Sequence, residues 1–112
     1  MKLSDPRLFR QYAYIDGKWT HGDGGREEAV IDPATGETLG HIPWLEAQQI
    51  RGAVEAADSA FVQWRALRAD ERGERLMAWF DLLLAHREDL ATIMTLEPVS
   101  YTHLTLPTIY SV

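Results

Sequence analysis

The chain has 112 residues, 46% of them apolar and 25% charged, with a formal net charge of −6. That is the sequence of one ordinary globular domain, and its 17 acids against 11 bases argue against nucleic acid, whose phosphates demand the opposite balance. It contains no cysteine, which excludes disulfides, thiolate metal sites and cysteine nucleophiles from these residues, and no apolar run nears the roughly 20 residues of a membrane span.

In chain order, the opening MKLSDPRLFRQ lacks the apolar centre of a secretory signal, so the cytoplasm is the expected compartment. Ala13-Tyr14-Ile15 and Lys18-Trp19 flank Asp16-Gly17, the pair that a type I′ hairpin favours because both turn residues need positive φ. His21–Gly25 (HGDGG) reads as a second, flexible turn. Glu28–Ile31 is a strand stopped by Asp32-Pro33, and Gly36 supplies the positive φ of the next reversal. Thr38–Pro43 returns as its partner and ends at Pro43, which has no N–H for a ladder. Two consecutive β-hairpins are expected.

Beyond Trp44 the apolar period changes. Ile50, Ala53, Val54, Ala57, Phe61 and Trp64 line one face of a helix. Its start is poorly marked: Glu46 suits the dipole in a first turn, but no Ser, Thr, Asp or Asn precedes it. Leu76, Phe80, Leu83, Leu90 and Met94 mark a second helical face starting around Asp70, and His86–Asp89 leaves open whether it is one helix or two. Trp79 and Leu82 widen the arc, so this helix is expected to pack on two sides. The fold class is thus α+β: two N-terminal hairpins, then two or three amphipathic helices. Each buried Trp or Phe hides on the order of 150–250 Å². Trp19, Trp44, Phe61, Trp64, Trp79 and Phe80 therefore exceed what so few elements can cover for one another.

A search for chemistry finds little. His21, His41, His86 and His103 show no metal-ligand spacing. Gly22-Asp23-Gly24-Gly25 lacks the strand-to-helix setting of a phosphate cradle. Glu71, Glu74, Glu88 and Asp89 interleave with Arg68, Arg72, Arg75 and Arg87, the pattern of a solvated, ion-paired helix face. No catalytic and no cofactor-binding residue is expected within the chain. Residues 98–112 carry no charge at all and are rich in Thr, Tyr, Val and Leu, an abrupt break in local preference after a charged helix.

YIDGKW, IDPATGETLG, an AVEAADSAF-x-x-W-R helix and ER-x-x-x-L before DLATIMTLE together resemble the N-terminus of the aldehyde dehydrogenase superfamily. More narrowly they resemble its bacterial NAD(P)-dependent succinate-semialdehyde dehydrogenases. The resemblance implies that residues 1–97 are the incomplete N-terminal part of a cofactor-binding domain in an α/β, Rossmann-like fold. It implies a longer cytoplasmic, homo-oligomeric oxidoreductase acting on a small-molecule aldehyde, expected to be succinate semialdehyde, through a cysteine thiohemiacetal, with NAD or NADP as cofactor and no nucleic-acid or membrane partner. This chain, lacking the cysteine, is expected to be inactive by itself and to bind no cofactor. By the same resemblance, the backbone at Val30 and Ile31 and the carboxylate of Glu97 correspond to a monovalent cation site of some relatives. In the family MTLE runs on into QGKPL. Here it meets VSYTHLTLPT, which resembles a translated sequencing adapter, so 98–112 is expected to be a non-native tail. The alternative is a small, acidic, non-enzymatic interaction module.

Overall fold

A computed structural model of the chain describes residues 1–97; the expectations for the tail at 98–112 lie outside the described residues. The chain enters through an extended segment with a short 3₁₀ turn at Pro6–Leu8. Asp5 caps this turn by accepting the Arg7 N–H at 3.1 Å. Strands β1 (Ala13–Ile15) and β2 (Lys18–Thr20) then form the first antiparallel hairpin. Asp16 (φ 50°) and Gly17 (φ 76°) both take positive φ at its turn, as a type I′ reversal requires. Tyr14 stands opposite Trp19, with ring centroids 4.9 Å apart, and the Arg10 guanidinium lies 4.6 Å above the Trp19 ring.

The second hairpin pairs β3 (Glu27–Ile31) with β4 (Thr38–Pro43). Its turn is tied by Asp32 three times. Its carbonyl accepts from Gly36 N–H at 2.8 Å, its own N–H donates to the Glu37 carbonyl at 2.8 Å, and its Oδ1 accepts from Ala34 N–H at 2.9 Å. Gly36 sits at φ 75°. The ladder is irregular in one place: Val30 faces Gly40 while Ile31 faces Thr38, leaving Leu39 as the extra residue of a bulge.

Three helices follow: α1 (Ala47–Ala66), α2 (Ala69–Ala85) and α3 (Arg87–Leu96). The second helical face is split between two of them: the break falls at His86, whose φ of −111° and ψ of 14° end α2 and begin α3. Asp70 and Glu71 occupy the first turn of α2, where their charge suits the helix dipole. Two members of the ion-paired pattern depart from it. Arg68 pairs with Asp70 at 3.1 Å and Glu71 at 3.2 Å, but Arg72 donates instead to the carbonyls of Leu67 (2.6 Å) and Arg65 (3.3 Å). Those carbonyls lie at the C-terminal end of α1, which lacks N–H partners and favours a cation. Asp89 is the second departure: it is buried, not solvated.

No hydrophobic side chain among the described residues is buried. Val54 is 64% exposed, Trp79 62% and Met94 68%. Thus the second packing side expected for α2, at Trp79 and Leu82, has no cover among these elements. The excess of apolar face read from the sequence is present in the structure.

Candidate functional site

The three cation-site positions lie far apart in sequence. Val30 is half-buried and Ile31 exposed, and the step between them is the β3–β4 bulge. Glu97 ends α3: its N–H donates to the Ile93 carbonyl at 3.0 Å, and its side chain is half-buried. The Glu97 carboxylate makes no hydrogen bond or ion pair among the described residues, and no group of three or more His, Cys, Asp or Glu side chains gathers among them. Backbone carbonyls with one carboxylate are oxygen donors of the kind a hard cation takes, so the residue types fit; no hydrogen bond among the described residues joins Glu97 to the bulge.

The glycine-rich loop His21–Gly25 is tied down at both ends of its first half. It is held against the start of α1 by Gln49, whose Oε1 accepts from Asp23 N–H at 2.9 Å and Glu46 N–H at 3.0 Å while Nε2 donates to the His21 carbonyl at 3.0 Å. Gly22 passes so close to Trp44 that a Cβ would run into the Trp44 carbonyl oxygen, and one on Gly24 would lie 2.6 Å from the Glu46 carboxylate. Glu46 is the N-cap of α1, not a first-turn residue, and forms a capping box with Gln49. A carboxylate therefore occupies the helix end that a cofactor's pyrophosphate would need. The loop moreover joins two strands. These residues do not fit a dinucleotide. The His21 ring packs edge-on against Tyr12 at 4.5 Å, a packing role.

A second polar cluster joins the chain's start to α3. Asp89 is only 7% exposed; its Oδ1 accepts from Ser4 N–H and its Oδ2 from Asp5 N–H, each at 2.8 Å. The Asp5 carboxylate takes two bonds from the Arg7 guanidinium, both 2.9 Å. Those bonds, with the Arg7 backbone N–H and a smaller contribution from His86, hold its carboxyl down at about 2. Asp5 in turn raises Arg7. The functional gain is positional: a carboxylate on two backbone amides fixes a segment and activates nothing.

Gln11 and Gln49 were not singled out by the sequence, and Asp89 was read only as part of a solvated helix face. Together they carry every side-chain hydrogen bond between sequence-distant segments among the described residues. Only Gln49 had a readable signal, the three-residue spacing from Glu46. None of these side chains forms a nucleophile with its base.

Residues 19–105 match the aldehyde dehydrogenase family. The match runs past Glu97 into the uncharged tail. The chain is 82% identical over 96 residues to the non-phosphorylating aspartate-semialdehyde dehydrogenase of Halomonas elongata, covering 86% of this chain and 20% of that protein. It is 46% identical over 97 residues to succinate-semialdehyde dehydrogenase (NADP+) of Escherichia coli, covering 87% of this chain and 20% of the other. Among solved structures, succinate-semialdehyde dehydrogenase from Burkholderia pseudomallei superposes with a TM-score of 0.82 at 44% identity, over 86% of this chain and 20% of that one. The chain thus spans about a fifth of the length of the relatives it matches.

Proposed function

The chain belongs to the aldehyde dehydrogenase family, and from that premise we propose that the whole protein oxidises a short semialdehyde, an aldehyde with a carboxylate at its far end, to the corresponding acid. The observation that carries this reading is the similarity to relatives named for aspartate and succinate semialdehydes. Succinate semialdehyde is the expected substrate by resemblance, and the more similar Halomonas protein favours aspartate semialdehyde as the second candidate. NAD or NADP would supply the hydride acceptor. None of the 112 residues is a cysteine, so the thiolate that attacks the aldehyde comes from elsewhere in the protein.

In this reading residues 1–97 form the leading part of the cofactor-binding domain, in a cytoplasmic homo-oligomer. Val30, Ile31 and Glu97 hold a monovalent cation, supported by the oxygen donors at the bulge and by a Glu97 carboxylate unpaired among the described residues. Residues 98–112 are foreign to it, on the strength of the loss of charge after Glu97. Among the described residues no helix is long and apolar enough to cross a membrane.

The test is to read the genomic DNA downstream of Glu97, express the uninterrupted protein, and compare kcat/KM for succinate, aspartate and glutarate semialdehydes with acetaldehyde, using NAD and NADP. A preference for the carboxylated aldehydes is expected. Equal or better turnover of acetaldehyde would overturn the substrate class, and VSYTHLTLPTIYSV followed in frame by a stop would overturn the foreign tail. A non-enzymatic interaction module is the second reading, favoured by the exposed apolar faces of α1 and α2.

A further inference from the structure

Residues Ser4–Gln11 run from the start of α3 to the second hairpin. At one end Asp89 accepts the backbone amides of Ser4 and Asp5, each at 2.8 Å. At the other, Gln11 Oε1 accepts the His41 N–H of β4 at 2.8 Å. The Phe9 ring lies beside Gln11 over Gly40: a Cβ on that glycine would stand 2.8 Å from Phe9 Cε1 and 2.7 Å from Gln11 Oε1. We propose that Ser4–Gln11 is a two-ended strap that docks and releases as one unit, and so fixes how the β3–β4 hairpin stands against α3.

The segment between the two anchors is bonded to itself over Asp5–Phe9. Pro6 fixes one φ. Leu8 and Phe9 N–H donate to the Asp5 and Pro6 carbonyls at 3.2 and 3.3 Å, and Arg7 is fastened to Asp5 by both side-chain bonds. A flexible linker would let one end detach alone; a short, internally bonded turn does not. Both anchors bind backbone amides, one through the Asp89 carboxylate and the other through the Gln11 side chain. Gly40 is part of the seat because a Cβ there would meet the Gln11 amide and the Phe9 ring that lie on it, and would have to displace them. Asp89 and Gln11 are positioning residues, and the strap is independent of the reaction proposed for the whole protein.

The test is hydrogen exchange by mass spectrometry on the full-length protein, following peptides over Met1–Tyr12 and Thr38–Trp44. Gln11→Ala and Gly40→Ala, at the β4 end, are expected to speed exchange at Ser4 and Asp5 by about tenfold or more, as well as at His41. Asp89→Ala is expected to speed exchange at His41, and Gln49→Ala, which weakens the fold away from the strap, to speed either peptide less than these three. Trypsin cleavage after Arg7 and Arg10 should accelerate in the same three variants. If each variant loosens only its own end, or none loosens either end, the strap is not a unit and the proposal falls. Should Asp89→Ala fail to fold, Gln11→Ala and Gly40→Ala decide the matter alone.

Discussion

Gln49 reaches back from the first turn of α1 to hold His21: its Nε2 donates to the His21 carbonyl at 3.0 Å while its Oε1 takes the Asp23 and Glu46 amides. One neutral side chain thus caps a helix and pins a glycine-rich loop. Gln49→Ala frees two amides and a carbonyl to water and is expected to destabilise the whole protein by about 1–2 kcal/mol. Gln49→Glu keeps the acceptor but loses the donor and faces the Glu46 carboxylate, so it should not recover the loss. Chemical denaturation of the three proteins measures both.

The glycines divide by what surrounds them. Gly22→Ala meets the Trp44 carbonyl, backbone that cannot swing aside, and is expected to be the most damaging of the set. Gly40→Ala meets the Phe9 and Gln11 side chains, which can move, and should cost less. Gly52 and Gly73 lie inside α1 and α2 with open space where a Cβ would go. There Ala should stabilise by about 0.5–1 kcal/mol each, by lowering the chain entropy lost on folding. Thermal melts of the four single variants give the order.

The parts of the fold that were legible in the sequence are those decided by near neighbours. Asp16-Gly17 and Gly36 announce their turns because positive φ is a local demand, and His86 ends a helix within its own window. Glu46 was misplaced by one position because Glu is an uncommon N-cap, although its spacing to Gln49 carried the signal. Asp89 and Gln11 were unreadable for a different reason. Their partners are backbone amides 85 and 30 residues away, and every residue but proline offers such an amide. Glu97 is harder still: its proposed role needs carbonyls at a bulge, and a bulge leaves almost no mark on composition.

Asp5 carries the pH dependence of the strap. Bonding to Arg7 holds its carboxyl at about 2, against an ordinary 3.8, so folding favours the ionised form. Its contribution is complete above the ordinary value and is lost as pH falls through about 2. Arg7→Ala removes the main cause, and the carboxyl should rise toward its ordinary value, bringing the loss to higher pH. NMR titration of the Asp5 side-chain carbonyl carbon, with and without the substitution, checks the direction and the window.

Glu97 offers a test of the cation that does not depend on turnover. If its carboxylate joins the carbonyls of the Val30–Ile31 bulge around potassium or sodium, either ion should raise the melting temperature of the full-length protein over an equal concentration of a bulky organic cation. Glu97→Gln removes the charge but keeps the shape, and should abolish most of that difference. An unchanged ion dependence in Glu97→Gln would take Glu97 out of the site.

The apolar faces make the last prediction. Along α2, Leu76, Met77, Trp79, Phe80, Leu82 and Leu83 are all exposed, more than half of the way round the helix, and so broad an apolar arc is stable only when it is covered. Among the described residues nothing supplies that cover, and hydrogen bonds from three side chains cannot replace a core whose burial is the main term in folding. The 112-residue polypeptide purified by itself is therefore expected to bind a hydrophobic dye and to lose its helical signal gradually on heating. The full-length protein should melt sharply and leave the dye unbound. A sharp, reversible melt of the short polypeptide as a monomer would mean that its helices close on one another after all, and would move the balance toward the interaction module.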